Sequence, residues 1–110
     1  MKLAVVGSRG WLMPSVVSRV LDEICPAEVV SGGARGVDSF AEAWAVLHRV
    51  PVKVFRPDWS KGRSAGARRN AQIVAYCDKL VAFWDGKSKG TQISIEMAAE
   101  CGKLLKVYRE

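Results

Sequence analysis

Three short segments concentrate the residues that can hold an anion: Gly7-Ser8-Arg9-Gly10, Ser31-Gly32-Gly33-Ala34-Arg35-Gly36-Val37-Asp38 and Asp85-Gly86-Lys87-Ser88-Lys89-Gly90-Thr91. Glycine has no Cβ, so the backbone N–H groups around it can come close to a phosphate. A helix starting just afterwards adds further donors and the positive end of its dipole. Arg9, Arg35, Lys87 and Lys89 bring charge to the same segments, and the hydroxyls of Ser8, Ser31, Ser88 and Thr91 can donate to phosphate oxygens or cap the helices that follow. One glycine after a strand is commonly only a tight turn. Three such segments in one short chain point to a phosphate cradle.

Asp38 and Asp85 stand inside two of these segments, and each has two readings. One is a carboxylate that caps a helix or offsets its dipole. The other is an acceptor for a ribose hydroxyl or a base. A further polar segment, Arg56-Pro57-Asp58-Trp59-Ser60-Lys61-Gly62-Arg63-Ser64-Ala65-Gly66-Ala67-Arg68-Arg69-Asn70, carries arginines and a lysine that can meet phosphates. Loops of this length in a compact domain are usually functional. Within it Trp59 is either a platform for a base or a packing strut.

These segments need a scaffold that brings them together. Five short apolar runs rich in branched residues recur: Leu3 to Val6, Glu28 to Val30, Val52 to Phe55, Leu80 to Trp84 and Leu104 to Tyr108. Nearly continuous apolar runs suit strands buried on both faces, as in a parallel sheet between helices. Between the first two, Met13, Val16, Val17, Val20, Leu21 and Ile24 form one helical stripe, with Pro14 in its first turn and Pro26 past its end. Val37, Phe40, Ala41, Trp44 and Leu47 mark a second helix, and Ala67, Ala71, Val74 and Ala75 a third. Thr91 to Glu100 forms a fourth, ending before Gly102. The alternation predicts a three-layer, Rossmann-like α/β fold with a five-stranded parallel sheet and right-handed crossovers. We expect strand order 3-2-1-4-5 rather than the flavodoxin-like 2-1-3-4-5, with a ligand outside the carboxyl ends of the strands.

At 110 residues, with 49% hydrophobic and 25% charged, residues 1–110 read as one nucleotide-binding domain. The early apolar run is too short for a signal peptide or a membrane span, so the expected location is the cytoplasm, with no membrane partner. A formal charge of +6 favours phosphate-bearing partners, whether mononucleotide or nucleic acid. Cys25, Cys77 and Cys101 have no CxxC spacing and are expected to be buried thiols, His48 reads as structural, and no metal site is expected. A receiver domain needs acidic residues after its first strand, where this chain has Gly7, Ser8 and Arg9. A Walker-type NTPase needs GxxxxGK followed by Ser or Thr, and a dinucleotide fingerprint needs GxGxxG; neither is present.

The segments SGGARGVD, DWSKGRSAGARRN and WDGKSKGTQISIEMA, in this order, resemble the YspA-like, YpsA-related group of the SLOG superfamily, named for the Smf/DprA and LOG proteins. The resemblance spans essentially the whole chain. It implies a Rossmann-like fold whose glycine-rich loops bind nucleotides or nucleotide-derived ligands, with no separate cofactor required. By this likeness Gly7, Ser8 and Arg9 form one wall, Gly32 to Asp38 a second, and Gly90 with Thr91 a third. Arg69 and Asn70, from an AGxxRN pattern, project toward the ligand. Relatives in the superfamily often self-associate, so a homo-oligomer is among the implied partners.

Two relatives imply different activities. The SGGARGVD segment is similar to one in DprA, which binds single-stranded DNA. LOG proteins are phosphoribohydrolases that release a base from a nucleoside monophosphate, using the glutamate of PGGxGTxxE; here the matching position is Ser94. Glu96 lies two residues on, about 200° around a helix, and cannot stand in for that glutamate. Asp38 and Asp85 are the remaining candidates for a hydrolytic carboxylate. A sensor or binding protein for a nucleotide is therefore the leading expectation, with LOG-like hydrolysis and single-strand binding as alternatives.

Overall fold

The computed structural model describes residues 1–109. Five strands, β1 (Lys2–Gly7), β2 (Glu28–Ser31), β3 (Val52–Val54), β4 (Lys79–Trp84) and β5 (Leu104–Arg109), alternate with four helices, α1 (Pro14–Ile24), α2 (Val37–Leu47), α3 (Ala65–Tyr76) and α4 (Lys89–Glu100). The strands pair in parallel in the order β3-β2-β1-β4-β5, the Rossmann-like arrangement expected. Strand order reverses at β1: chain leaving β1 and β2 crosses one way, chain leaving β3 and β4 the other.

Side chains of β1 alternate between the two faces of the sheet. Leu3 and Val5 pack with Val17 and Leu21 of α1 and with Val37, Ala41 and Trp44 of α2. Ala4 and Val6 pack with Ile73 and Val74 of α3 and Ala98 of α4. Leu3, Val5, Leu80, Val81 and Phe83 have no exposed surface, and burying each such side chain contributes about 1.5–3 kcal/mol. The central strands are thus clamped on both faces, which fixes where their carboxyl ends stop.

Two helices begin earlier than the apolar pattern indicates, α3 at Ala65 and α4 at Lys89. Ahead of α3, a short 3-10 turn (Trp59–Lys61) is capped by the Asp58 side chain, which accepts from the Ser60 N–H, and Gly62 ends it with φ +88. The polar segment after β3 is therefore partly helical.

Only Cys77 is buried; the expectation of three buried thiols is corrected for Cys25 and Cys101, which are exposed. Both follow the last residue of a helix, where the chain turns outward, and Cys25 sits there in the left-handed region at φ 52. His48 closes α2, its ring stacked on Trp44 with centroids 4.3 Å apart. Among the described residues no helix is long and apolar enough to cross a membrane, and no group of three His, Cys, Asp or Glu side chains is arranged to hold a metal ion.

Candidate functional site

The three glycine-rich segments meet at the carboxyl end of the sheet, and a set of contacts locks each to the next. Gly7 ends β1 beneath the start of α2. A Cβ there would stand 2.5 Å from a methyl of Val37 and 2.6 Å from the Phe83 carbonyl oxygen, so glycine lets both neighbours close around β1. Ser8 is buried; its N–H donates to the Phe83 carbonyl at 3.0 Å. Its Oγ accepts from the Asp85 N–H at 3.0 Å and from the Ser88 hydroxyl at 3.1 Å, joining the loop after β1 to the loop after β4. On the other flank Gly36, at φ +77, lies against the Arg9 carbonyl, where a Cβ would come within 2.5 Å of the oxygen.

The remaining wall comes from α3 and α4. Arg69 Nη1 donates to the Gly32 carbonyl at 2.6 Å and its Nε to Asn70 Oδ1 at 2.8 Å. Asn70 Nδ2 reaches the Gly90 carbonyl at 3.4 Å. The ring encloses a cleft of about 350 Å³, within the span of roughly 300–1,000 Å³ usual for small-molecule sites.

Of the residues expected from the sequence, Gly7, Ser8, Arg9, Gly32, Ala34 and Asp38 line this cleft from the first two loops. Arg69, Asn70, Ser88, Gly90 and Thr91 line it from α3 and the start of α4. Others stand apart. Ser31 donates to Glu42 at 2.6 Å and accepts from the Gly33 N–H at 3.1 Å, holding the second loop from behind. Arg35 and Lys87 are exposed and are not among the residues lining this cleft. Gly36 is taken up by the Arg9 backbone, and Asp85 serves its own loop.

Val6, Gly10, Ile73 and Ser94 also line the cleft without having been singled out as ligand contacts. Two carried a signal: Ile73 follows Arg69 and Asn70, and Ser94 follows Gly90 and Thr91, by three or four residues, the spacing that shares one helix face.

The two aspartates differ sharply. Asp85 Oδ1 accepts from the N–H groups of Lys87 and Ser88, both at 2.8 Å, and Oδ2 from the Ser88 hydroxyl at 3.1 Å. These bonds, the Ser88 N–H foremost, hold its carboxyl down at about 2, below the ordinary 3.8. Asp38 is buried in the cleft wall, and burial pushes its pKa up despite the Ala34 N–H, 3.1 Å from Oδ2, and the nearby Arg69 charge. Burial lowers the pKa of Arg69 in turn, against the pull of Asp38.

Because Ser88 turns its hydroxyl to Ser8 and Asp85, it makes no cap bond to α4, and the first turn of α4 has no acidic residue. Among the described residues the first N–H groups of α4 therefore have no side-chain acceptor where Gly90 and Thr91 line the cleft. Charge is also left over. The chain has 17 Lys and Arg against 11 Asp and Glu, yet among the described residues no Lys or Arg side chain comes within 4.0 Å of a carboxylate oxygen; the one close pair of this kind joins His48 Nε2 and Asp22 Oδ1, at 3.5 Å. A second hollow of about 340 Å³ adjoins the cleft and shares Arg9, Gly32, Ala34 and Arg69 with it; Gly33, Arg56, Pro57 and Trp59 complete it.

Residues 1–62 match the family described as YAcAr: YspA, cpYpsA-related SLOG family. The chain belongs to this SLOG family. The matched span holds β1, β2, β3 and both loops that form the first half of the cleft. The SLOG chain is 35% identical over 113 aligned positions to the Gene 61 protein of Mycobacterium phage D29, covering 92% of this chain and 90% of that one. Among solved structures it is similar to DNA processing protein A (DprA) from Streptococcus pneumoniae, with a TM-score of 0.83 and 21% identity over 96% of this chain. It is also similar to DprA from Helicobacter pylori, whose structure is described as showing a single-stranded DNA binding mode, with a TM-score of 0.66 and 21% identity. The SLOG chain spans 49% and 64% of those two proteins, and at this identity the likeness is one of fold.

Proposed function

We propose that this SLOG-family protein binds a nucleotide or a nucleotide-derived small molecule in the 350 Å³ cleft, as a sensor or binding protein. One observation carries the reading: the uncapped start of α4, the hydroxyl-bearing residues Ser8 and Thr91, and the cationic residue Arg9 belong to one cleft at the switch in strand order. Backbone donors, hydroxyls and a cation together suit a phosphate, and Asp38 supplies a polar group for a sugar hydroxyl or a base.

The side chains favour binding over cleavage of an N-glycosidic bond. Among the described residues Asp38 is the one carboxylate lining the cleft, with no second acid in that lining. Asp85 is committed to its loop by three hydrogen bonds. Glu96 is exposed and accepts from Gln92, while Ser94 occupies the lining position where LOG proteins have glutamate. Hydrolysis through an oxocarbenium-like state calls for a carboxylate beside the sugar, usually with a second acid.

Single-stranded nucleic-acid binding is a second reading, supported by the fold shared with the H. pylori protein and by the +6 charge. A thermal-shift series separates the two. The purified protein is challenged with nucleoside mono-, di- and triphosphates, ADP-ribose, NAD, cyclic nucleotides and a short oligonucleotide, with chromatography of every hit. A small nucleotide at about 100 times its Kd stabilises the folded state by ~2.7 kcal/mol, and we expect such a hit, recovered intact. No stabilisation by any small nucleotide overturns the first reading. An oligonucleotide hit that weakens steeply between about 50 mM and about 200 mM salt supports the second.

A further inference from the structure

Four tryptophans occur in the chain, and three are engaged by their surroundings. Trp11 is buried edge-on against Phe83. Trp44 stacks on His48 and donates to Asp22 at 2.8 Å. Trp84 donates to the Ser88 carbonyl at 3.0 Å and lies under the Arg109 guanidinium. Trp59 differs: among the described residues its indole makes no hydrogen bond and no ring or cation contact, and 63% of the residue is exposed. An indole held in water without a partner is unfavourable by the same apolar-area argument that drives core formation.

The chain nevertheless holds Trp59 in place. The Asp58 carboxylate accepts from both the N–H and the hydroxyl of Ser60, and the Gly62 N–H donates to the Trp59 carbonyl at 3.2 Å, so the turn is braced on either side of the ring. Gly66 of α3 sits beneath it; a Cβ there would lie 3.6 Å from the indole edge. Trp59 lines the second hollow in company with the guanidinium-bearing residues Arg9, Arg56 and Arg69, and no Asp or Glu is among the residues that line it. Neither Arg9 nor Arg56 makes an ion pair among the described residues.

We infer that the second hollow is a base-stacking subsite in which Trp59 takes the second base of a ligand made of two phosphate-linked nucleotide units, the linking phosphate passing between Arg9 and Arg56. The two hollows are similar in volume, about 350 and 340 Å³, and the wall they share carries Arg9 and Arg69. A single nucleotide fills one of them. A ligand spanning both places a base at each end and its negative charge over the shared cations. This chemistry is common to a free dinucleotide and to the end of a nucleic-acid strand. The inference rests on the cleft binding a nucleotide, as proposed above.

The test compares AMP, the dinucleotide pApA, diadenosine diphosphate and a dodecamer of deoxyadenylate by calorimetry on the full chain, for wild type, Trp59→Ala and Trp59→Phe. Trp59 is exposed, so neither variant disturbs the core. We expect at least one two-unit ligand to bind wild type more tightly than AMP by between about fivefold and 150-fold, the range for one stacked base. Trp59→Ala removes that advantage and leaves AMP affinity unchanged, and Trp59→Phe retains most of it. AMP binding with no gain for any two-unit ligand, or a gain that survives Trp59→Ala, overturns the inference and leaves the cleft reading standing. No binding by AMP or any two-unit ligand overturns both. Within a positive result, a dodecamer no tighter than pApA identifies a free dinucleotide as the source, whereas affinity that rises with length identifies a strand.

Discussion

The loop after β4 and the loop after β2 each bring one aspartate to the carboxyl end of the sheet, and they hold it in opposite ways. Asp85 is ringed by donors of its own loop and sits at about 2. Asp38 is enclosed by the cleft wall, and burial raises its pKa. One carboxylate therefore organises structure: its charge is what keeps Lys87 and Ser88 turned so that α4 starts uncapped. The other is kept at a cost to the fold, in the place where a ligand would meet it. A group the fold maintains against its own solvation is a better candidate for contact with a ligand than one already holding three internal donors.

The largest way to break this contrast is to break the β2 side outright. Gly36→Val forces a branched side chain into φ +77 and against the Arg9 carbonyl. We expect a loss of about 3 kcal/mol, read as a lower urea midpoint, together with loss of nucleotide binding. On the β4 side, Ser8→Ala leaves the Asp85 N–H without its acceptor in a buried setting. It should cost about 1–3 kcal/mol and weaken ligands through the displaced start of α4. Equal stability for Ser8→Ala and wild type in urea would mean the two loops are not joined as described.

Titration sharpens the contrast between the carboxylates. Asp85 is depressed, so its contribution to stability is fully present above 3.8 and is lost as pH falls through about 2. Asp85→Asn should flatten that part of the stability profile and lower stability at neutral pH. Asp38 is raised, so its contribution is fully present below 3.8 and is lost as pH rises through its folded value. Asp38→Asn should then hold or raise the neutral-pH Tm while weakening a ligand that uses the carboxylate. Parallel pH profiles for the two variants would erase the distinction. The smallest effect belongs to Arg35→Ala: Arg35 is exposed and lines neither hollow, so Tm should be unchanged and nucleotide affinity altered by less than about twofold, against about tenfold or more for Arg9→Ala, which removes a charged donor from the cleft.

Much of this architecture was legible in the chain. The continuous apolar run Leu3 to Val6 marks a strand buried on both faces, and the stripe of Val17, Val20 and Leu21 follows the 3.6-residue period because one helix face meets the core. Crossover handedness then leaves few arrangements, of which 3-2-1-4-5 is the one found. The cysteines were less legible, since Cys25 and Cys101 sit just past helix ends, where a turn of the backbone decides exposure.

Local sequence determined the strands, the helices and the clustering of glycine, hydroxyl and arginine at strand ends, because propensity and periodicity act over a few residues. Tertiary structure alone decided that Ser8 bonds Asp85 across 77 positions, that Arg69 reaches Gly32 across 37, and that Asp38 and Asp85 part company. Burial and hydrogen-bond partners depend on what the rest of the chain brings near, and residues of the same type and similar neighbours in sequence acquire different chemistry once desolvation acts on one and backbone donors on the other.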